Sequence, residues 1–193
     1  MRAKRAVAWA GVLCALLSGC AAGKGPEIDP ETGAARKFPV NERPALADLS
    51  GKSLDGAAVR LSDYRGKVVI LNTWSFTCGP CRAEAPGLER FRTAMKDKGV
   101  EVLGITRDSN LGSARAFEKE YRLSYPSIVD PTGKQLLRLP RGLLNTQFIP
   151  FSVIIDRKGR AAAVVPGAVT EEEFRKLTSP LLKEESAHMR SVR

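Results

Sequence analysis

Histidine is almost absent from the sequence: His188 is the only one in 193 residues, alongside four cysteines. A structural zinc site needs four ligands, yet neither a second cysteine pair nor a nearby histidine accompanies Cys78 and Cys81. A c-type haem site would place a histidine directly after the second cysteine, where Arg82 stands. A copper site would need a histidine and a wider cysteine spacing. We therefore predict no metal and no other cofactor.

The N-terminus lacks a hydrophobic run long enough to cross a bilayer. The apolar run at residues 6–17 falls short of the roughly 20 residues that a helical span requires. It follows three basic residues and ends in small residues before Cys20, which predicts a signal peptide at residues 1–19. The tetrapeptide Leu-Ser-Gly-Cys that ends at Cys20 resembles a bacterial lipobox, which implies lipidation of Cys20. An ordinary secretory signal is the alternative.

Acidic residues are outnumbered by basic ones, and the formal net charge is +10. Removal of residues 1–19 takes away Arg2, Lys4 and Arg5, so the charge falls to +7. This balance suits a protein held near anionic lipid headgroups or acidic partners. The basic residues are scattered and no recognition motif accompanies them, so we predict no nucleic-acid partner.

The most informative stretch is residues 68–86, VVILNTWSFTCGPCRAEAP. A β-branched apolar run leads to Cys78 and Cys81, and apolar residues then recur at helical spacing. The pattern predicts a strand that delivers a dithiol to a helix start, where unpaired N–H groups and the helix dipole stabilise a thiolate. A structural disulfide is the alternative, although closing so short a loop contributes only about 2 kcal/mol. We interpret the pair as redox-active.

The segment WSFTCGPCRAEAP resembles the active site of the thioredoxin superfamily, and more closely that of the TlpA/ResA-like thiol-disulfide oxidoreductases of the bacterial envelope. The resemblance covers about residues 44–182. It implies an α/β thioredoxin-like fold, a central mixed sheet flanked by helices, with an N-terminal β-hairpin extension from strands at residues 45–49 and 57–61. We expect residues 20–43 to form a flexible tether from the lipid, and residues 183–193 to form a mobile tail.

Strand and helix patterns alternate after the dithiol. Because a strand, helix, strand unit pairs its strands in parallel, the dithiol should lie at the carboxyl end of the central strand. Strand patterns occupy residues 100–106, 127–129, 151–155 and 161–165, and helical patterns occupy residues 114–121 and 174–181, the last preceded by a capping box at Thr170–Glu173.

The resemblance also implies roles for residues around the dithiol. In this family the proline at position 150 is cis and faces the sulfurs, so Ile149 would pair with an extended substrate strand. Trp74 is expected beside the dithiol as a substrate contact, with core packing as the alternative. Glu84, one turn after the second cysteine, is expected to tune the thiols and relay protons, with a solvated first-turn glutamate as the alternative. Asn72 stands where thioredoxins keep a buried acid, which favours Glu84 as the proton carrier.

Two positions depart from the family pattern. Thr77 stands where an aromatic residue usually precedes the first cysteine, and Phe151 stands where threonine or serine often follows the cis-proline. Both are expected to line the substrate face, so the identity of the substrate stays open while the chemistry does not.

We predict thiol-disulfide exchange in which Cys78 attacks a partner disulfide, Cys81 resolves the mixed disulfide and Glu84 accepts a proton. The dipeptide between the cysteines is that of thioredoxin, which favours a reductant. The resemblance implies disulfide-bearing envelope proteins as substrates, apocytochrome c among them, and a membrane thiol transporter of the DsbD/CcdA kind as electron donor. The expected location is the extracytoplasmic face of the cell membrane. A peroxiredoxin-like peroxidase, a DsbA-like disulfide oxidase and a copper-binding envelope protein are the alternatives.

Overall fold

The computed structural model describes residues 35–191, and it describes side chains over residues 35–184. The predicted signal peptide at residues 1–19 and the predicted lipidation site at Cys20 lie outside this part of the chain. Among the residues that are described, none of the helices combines the length and the apolar character that crossing a membrane requires.

Eight strands and three α-helices organise the described residues. Six strands form one sheet, and the other two form a separate hairpin. The strands are β1 (Arg36–Lys37), β2 (Ser50–Lys52), β3 (Ala58–Arg60), β4 (Val68–Trp74), β5 (Val100–Thr106), β6 (Ser127–Val129), β7 (Phe151–Ile155) and β8 (Ala161–Pro166); the helices are α1 (Gly79–Met95), α2 (Leu111–Tyr121) and α3 (Glu171–Ser191). The order in the large sheet is β1-β8-β7-β4-β5-β6, and β2 pairs with β3.

The sheet is mixed because its central strand, β4, pairs in parallel with β5 and antiparallel with β7. All seven residues of β4 are buried, which requires that both faces of the sheet are covered. Ile70 packs with side chains of α1 and α3, such as Phe91 and Phe174. Leu71 packs on the opposite face with residues from the N-terminal segment, such as Leu49. The predicted fold class is confirmed, and the dithiol follows the carboxyl end of β4.

The closing helix begins as the capping box predicts. The N–H of Thr170 donates to Glu173 Oε2 at 2.8 Å, and the N–H of Glu173 donates to Thr170 Oγ1 at 3.3 Å. These two bonds satisfy donors that the first turn of α3 leaves without an intrahelical partner. The predicted strands β5 to β8 and the helix α2 are likewise present.

The N-terminal hairpin is present, but its first strand lies later in the chain than predicted. The predicted strand at residues 45–49 is wrong, because β2 begins at Ser50. Leu49 is fully buried against the sheet without being part of a strand. The turn is confined to Ser53–Gly56, where the N–H of Gly56 donates to the Ser53 carbonyl at 3.0 Å. Gly56 has a φ of +92°, a conformation that glycine adopts without a steric penalty.

The folded domain begins before residue 44. Arg36 in β1 lies opposite Val164 in β8, and β1 forms the edge of the large sheet. The prediction that the tether continues to residue 43 is therefore wrong over residues 36–43. A strand of two residues has no apolar period, so the pattern of the sequence carries no signal for it.

The domain also ends after residue 182. Helix α3 runs to Ser191, so the prediction of a mobile tail at residues 183–193 is wrong for the helical part. Glu184 lies in this part of the helix, and its two carboxylate oxygens accept hydrogen bonds of 2.8 and 2.7 Å from Arg43. One ion pair thus joins the N-terminal segment to the closing helix.

Replacing Arg43 with methionine is expected to lower the free energy of unfolding by about 2–3 kcal/mol. Arg43 also bonds Asp156 at 3.2 Å, and the two side chains are only 6% and 5% exposed. Loss of the cation leaves Arg160 as the remaining cation beside the Asp156 carboxylate, which otherwise accepts only the backbone N–H groups of Lys158 and Arg160 among the described residues. Urea unfolding measures the effect. Arg90→Met is the control, because its pair with Glu171 is exposed and should contribute less than about 0.5 kcal/mol; equal losses in both variants would contradict the prediction.

Candidate active site

Cys78 and Cys81 form a disulfide at the start of α1, with their Cα atoms 5.2 Å apart. Cys78 is the N-cap residue of the helix, and its Sγ accepts a hydrogen bond of 3.2 Å from the N–H of Cys81. Cys78 is partly exposed, whereas Cys81 is 2% exposed. The sulfur that a partner protein can reach is therefore that of Cys78. It lies where the helix N–H groups and the helix dipole stabilise a thiolate.

The loop from β4 to α1 is held by a residue that the sequence analysis missed. Asp108, two residues beyond β5, is 5% exposed and accepts hydrogen bonds from the N–H of Phe76 at 2.9 Å and from the Ser75 hydroxyl. The carbonyl of Ser75 in turn accepts the N–H of Cys78 at 3.1 Å. An acidic residue just past the carboxyl end of a buried strand was the available signal, because neighbouring parallel strands place their ends at one edge of the sheet.

Glu84 is buried in α1, with 4% of its surface exposed, so the alternative of a solvated glutamate is wrong. Its carboxylate accepts hydrogen bonds of 2.9 Å from Asn72 Nδ2 and 2.9 Å from the N–H of Val169. Asn72 also donates to the Ser152 hydroxyl at 3.1 Å. Burial raises the pKa of Glu84 to about 7, although the two hydrogen bonds oppose the rise. Glu84 can therefore exchange a proton near neutral pH, one helical turn beyond Cys81.

The Ile149–Pro150 peptide bond is cis, as predicted. The next residue, Phe151, pairs with Thr73 near the end of β4, so this segment lies at the edge of the sheet from which the dithiol loop departs. The Pro150 carbonyl accepts the N–H of Gly167 at 2.9 Å. Within residues 35–191, by contrast, the N–H and C=O of Ile149 have no hydrogen-bond partner. These two groups can pair with the backbone of an extended peptide.

Trp74 lies beside the dithiol but is not a substrate contact. Its side chain is 1% exposed and packs in one cluster with Cys81. The indole ring stacks on Phe117 with the ring centroids 4.5 Å apart, and its N–H donates to Ser127 Oγ at 3.1 Å. The predicted substrate-binding role of Trp74 is therefore wrong, and the alternative of core packing holds. By packing with Cys81, the Trp74 side chain supports the start of α1.

The two departures from the family pattern fall in different environments. Phe151 is 1% exposed and belongs to the core beneath the sheet, so the expectation that it lines the substrate face is wrong. Thr77 is exposed, as expected, and its hydroxyl lies 3.1 Å from that of Ser75. Phe148 was not predicted, yet its side chain is 72% exposed directly before the Ile149–Pro150 bond. An exposed large aromatic at this place is a candidate substrate contact.

Among the residues whose side chains are described, no group of three or more His, Cys, Asp and Glu side chains could hold a metal ion. The reactive groups that the site brings together are the two sulfurs and the buried carboxyl of Glu84. This combination can carry out thiol-disulfide exchange, in which a carboxylate acts as the base that takes up the proton of the resolving thiol.

Comparison with known proteins also indicates thiol-disulfide exchange. The family model described as the AhpC/TSA family matches residues 43–164. The thiol-disulfide oxidoreductase ResA of Geobacillus kaustophilus is 33% identical over 121 residues, which cover 63% of this chain and 67% of that protein. The thioredoxin-like protein YneN of Bacillus subtilis is 30% identical over 146 residues, which cover 75% of this chain and 82% of that protein.

Solved structures show the same fold. A secreted thiol-disulfide isomerase from Corynebacterium glutamicum superposes with a TM-score of 0.75 at 32% identity, covering 81% of this chain and 96% of that one. A DsbF homologue from Corynebacterium diphtheriae superposes with a TM-score of 0.73 at 31% identity, covering 80% and 98%. The chain therefore belongs to the AhpC/TSA family, and it is a TlpA/ResA-like thiol-disulfide oxidoreductase of the thioredoxin superfamily.

Proposed function

We propose that the protein is anchored to the extracytoplasmic face of the cell membrane through a lipidated Cys20, and that it reduces disulfides of other envelope proteins. The observation that carries the catalytic part is the arrangement of an accessible Cys78, a buried Cys81 and a buried Glu84 on the first turns of α1. The lipobox-like sequence at residues 17–20 supports the anchor and the location.

The first half of the reaction uses the exposed sulfur. In the reduced enzyme the thiolate of Cys78 attacks one sulfur of a substrate disulfide. A new bond forms between Cys78 and that sulfur, the substrate S–S bond breaks, and the second substrate sulfur leaves as a thiolate that takes a proton from solvent. The helix start stabilises the attacking thiolate, because the N–H of Cys81 points at Sγ of Cys78.

The second half uses the buried groups. The thiol of Cys81 transfers its proton to the carboxylate of Glu84 and attacks the sulfur of Cys78. The bond between Cys78 and the substrate breaks, and the substrate sulfur that was joined to Cys78 departs as a thiolate and takes up a proton. The substrate has then gained two electrons and two protons, and the enzyme holds the Cys78–Cys81 disulfide. A pKa of about 7 suits Glu84 to this step, because such a group accepts and releases protons at neutral pH.

The substrate is an extended segment of a disulfide-bearing protein. The N–H and C=O of Ile149, which bond no other group within residues 35–191, would pair with its backbone, and exposed Phe148 would contact an apolar side chain beside the disulfide. The relatives named ResA and the resemblance to their family make apocytochrome c one candidate substrate. A membrane thiol transporter of the DsbD/CcdA kind would return electrons to the Cys78–Cys81 disulfide.

The direction of the reaction is tested by the reduction potential of the Cys78/Cys81 couple. We expect a value near that of thioredoxin, about −270 mV, from equilibration with dithiothreitol or glutathione buffers and peptide mass spectrometry of the alkylated cysteines. A value above about −150 mV would replace the reductase with a DsbA-like oxidase. The reduced protein should also consume a protein disulfide faster than it consumes hydrogen peroxide. The reverse order would indicate the alternative function, a peroxiredoxin-like peroxidase.

A further inference from the structure

Asp108 is the centre of a hydrogen-bond cluster outside the dithiol itself. Its Oδ2 accepts the N–H of Phe76 at 2.9 Å and the hydroxyl of Thr106 at 2.9 Å, and its Oδ1 accepts the hydroxyl of Ser75. Its own N–H donates to Thr106 Oγ1 at 3.2 Å. A carboxylate that is 5% exposed and aims both oxygens at one loop is more than a solvated surface group.

The residues Ser75–Thr77, here called the thiol loop, are fixed by these bonds up to Cys78. Phe76 is held at both backbone groups, because Asp108 accepts its N–H and Arg82 Nη1 donates to its C=O at 3.3 Å. The N–H of Thr77 donates to Ser75 Oγ at 3.3 Å. The Ser75 carbonyl accepts the N–H of Cys78 at 3.1 Å, so the chain of bonds ends at the nucleophile.

We propose that Asp108 is a positioning residue for Cys78: it holds the thiol loop so that the sulfur stays at the start of α1 after the disulfide has been reduced. The inference rests on the proposed function, because it concerns how well the reduced enzyme presents its nucleophile. In the oxidised protein the bond to Cys81 also fixes Cys78. In the reduced protein that bond is absent, so the hydrogen bonds of the thiol loop keep Cys78 at the start of α1.

The loop bonds therefore stabilise the reduced thiolate form more than the disulfide form. Loosening the loop weakens the interaction of Sγ with the helix N–H groups, which favours the protonated thiol and slows attack on a disulfide. It also shifts the couple towards the disulfide, so the reduction potential becomes more negative.

The negative charge of Asp108 lowers the reactivity of Cys78, whereas its positioning role raises that reactivity. A negative charge near the dithiol disfavours a thiolate, so removal of that charge alone would make Cys78 more reactive. Charged groups near the thiol loop among the described residues include Arg82 on α1, its partner Glu120 on α2, Glu84 on α1 and Arg107, which precedes Asp108. These groups keep their charges when Asp108 is replaced. A loss of Cys78 reactivity in a variant therefore indicates the positioning role, and a gain indicates the effect of the charge.

The test measures the rate at which iodoacetamide alkylates Cys78 in the reduced full chain from pH 5 to 10, with peptide mass spectrometry to separate Cys78 from the other cysteines. In Asp108→Ala we expect the profile to move to higher pH and the rate at pH 7 to fall by about threefold to tenfold. The reduction potential of the same variant should become more negative, by about 30 mV for a tenfold change in the equilibrium constant.

Two variants show whether the effect belongs to the loop. Asp108→Asn keeps in its amide oxygen an acceptor for the N–H of Phe76 and the hydroxyl of Thr106, and the hydroxyl of Ser75 can rotate to accept from its NH2 group, so the thiol loop stays in place. Because this variant loses only the charge, Cys78 should be at least as reactive in it as in the wild type. Asp130→Ala is the matched control. Asp130 is also a buried acid beyond a strand, 3% exposed, but it holds the N–H groups of Gln135 and Leu136, at 3.0 and 3.2 Å, in another loop.

The proposal is overturned if Asp108→Ala leaves the profile of Cys78 unchanged or makes Cys78 more reactive, or if Asp130→Ala shifts the profile equally. If Asp108→Ala fails to fold, Ser75→Ala, which removes one hydroxyl of the cluster, must shift the profile in the same direction by a smaller amount. The failures are distinguishable: a wild-type Cys78 no more reactive than a thiol in an unfolded peptide would defeat the proposed function itself, whereas a reactive wild type with an unaffected Asp108→Ala defeats only this inference.

Discussion

Replacing Cys78 with serine is expected to lower the rate of protein-disulfide reduction at least about 1000-fold, to the uncatalysed background. A serine hydroxyl is not ionised near neutral pH and cannot form a disulfide, so the first step of the exchange is lost. Cys81 does not replace it, because its side chain is 2% exposed beneath the helix start. The measurement is the initial rate at which the chemically reduced chain reduces a model protein disulfide, such as those of insulin.

Cys81→Ala is the matched variant, because it should keep the attack and lose the resolution. Cys78 remains the N-cap residue, and the backbone N–H of residue 81 still points at its sulfur. We therefore expect a mixed disulfide with the substrate to accumulate, visible on a non-reducing gel and removed by dithiothreitol. Turnover retained by Cys78→Ser, or failure of Cys81→Ala to trap any substrate, would show that the roles of the two sulfurs are wrongly assigned.

The parts of the fold that could be predicted are those with local signals. The unbroken apolar run that became β4 marks a strand buried on both faces. The capping box at Thr170 marks the start of α3, and the turn after β7 connects two apolar runs. The dithiol belongs to this class as well, since its strand, its cysteines and its helix follow one another directly in the chain.

The parts that could not be predicted depend on residues far apart in the chain. Helical spacing places Glu84 one turn after Cys81, but its burial depends on Val169, 85 residues away. Arg43 has no apolar period around it, and its role becomes visible only when Glu184 is brought beside it, 141 residues later. Asp108 contacts a loop more than 30 residues earlier. Spacing along one element shows which face a residue shares, but not what covers that face.

Glu84 is expected to make the oxidised protein less stable as the pH rises. Its pKa is raised from 4.5 to about 7 by burial, so the folded state holds a proton that the unfolded state has lost between these values. The contribution is fully present below pH 4.5 and disappears as the pH rises through about 7. A shift of this size corresponds to roughly 3 kcal/mol at about 1.4 kcal/mol per pKa unit. Urea unfolding of the disulfide form at pH 5, 6, 7 and 8 measures it, and neither Cys78 nor Cys81 titrates in that form.

Glu84→Gln isolates this contribution from the other titrating groups. The neutral amide resembles the protonated acid, and the Asn72 side chain can turn its carbonyl towards it while the Ser152 hydroxyl rotates to donate. The variant should match the wild type near pH 4.5 and exceed its stability by about 2–3 kcal/mol at pH 8. Its turnover should be slower and should lose the inflection near pH 7, because the acceptor for the Cys81 proton is gone.

Glu172→Gln is the control, since that side chain is 75% exposed on α3 and should change neither curve. A difference between Glu84→Gln and the wild type that stays constant from pH 5 to 8 would show that Glu84 does not titrate in this range, and would remove it from the proton step.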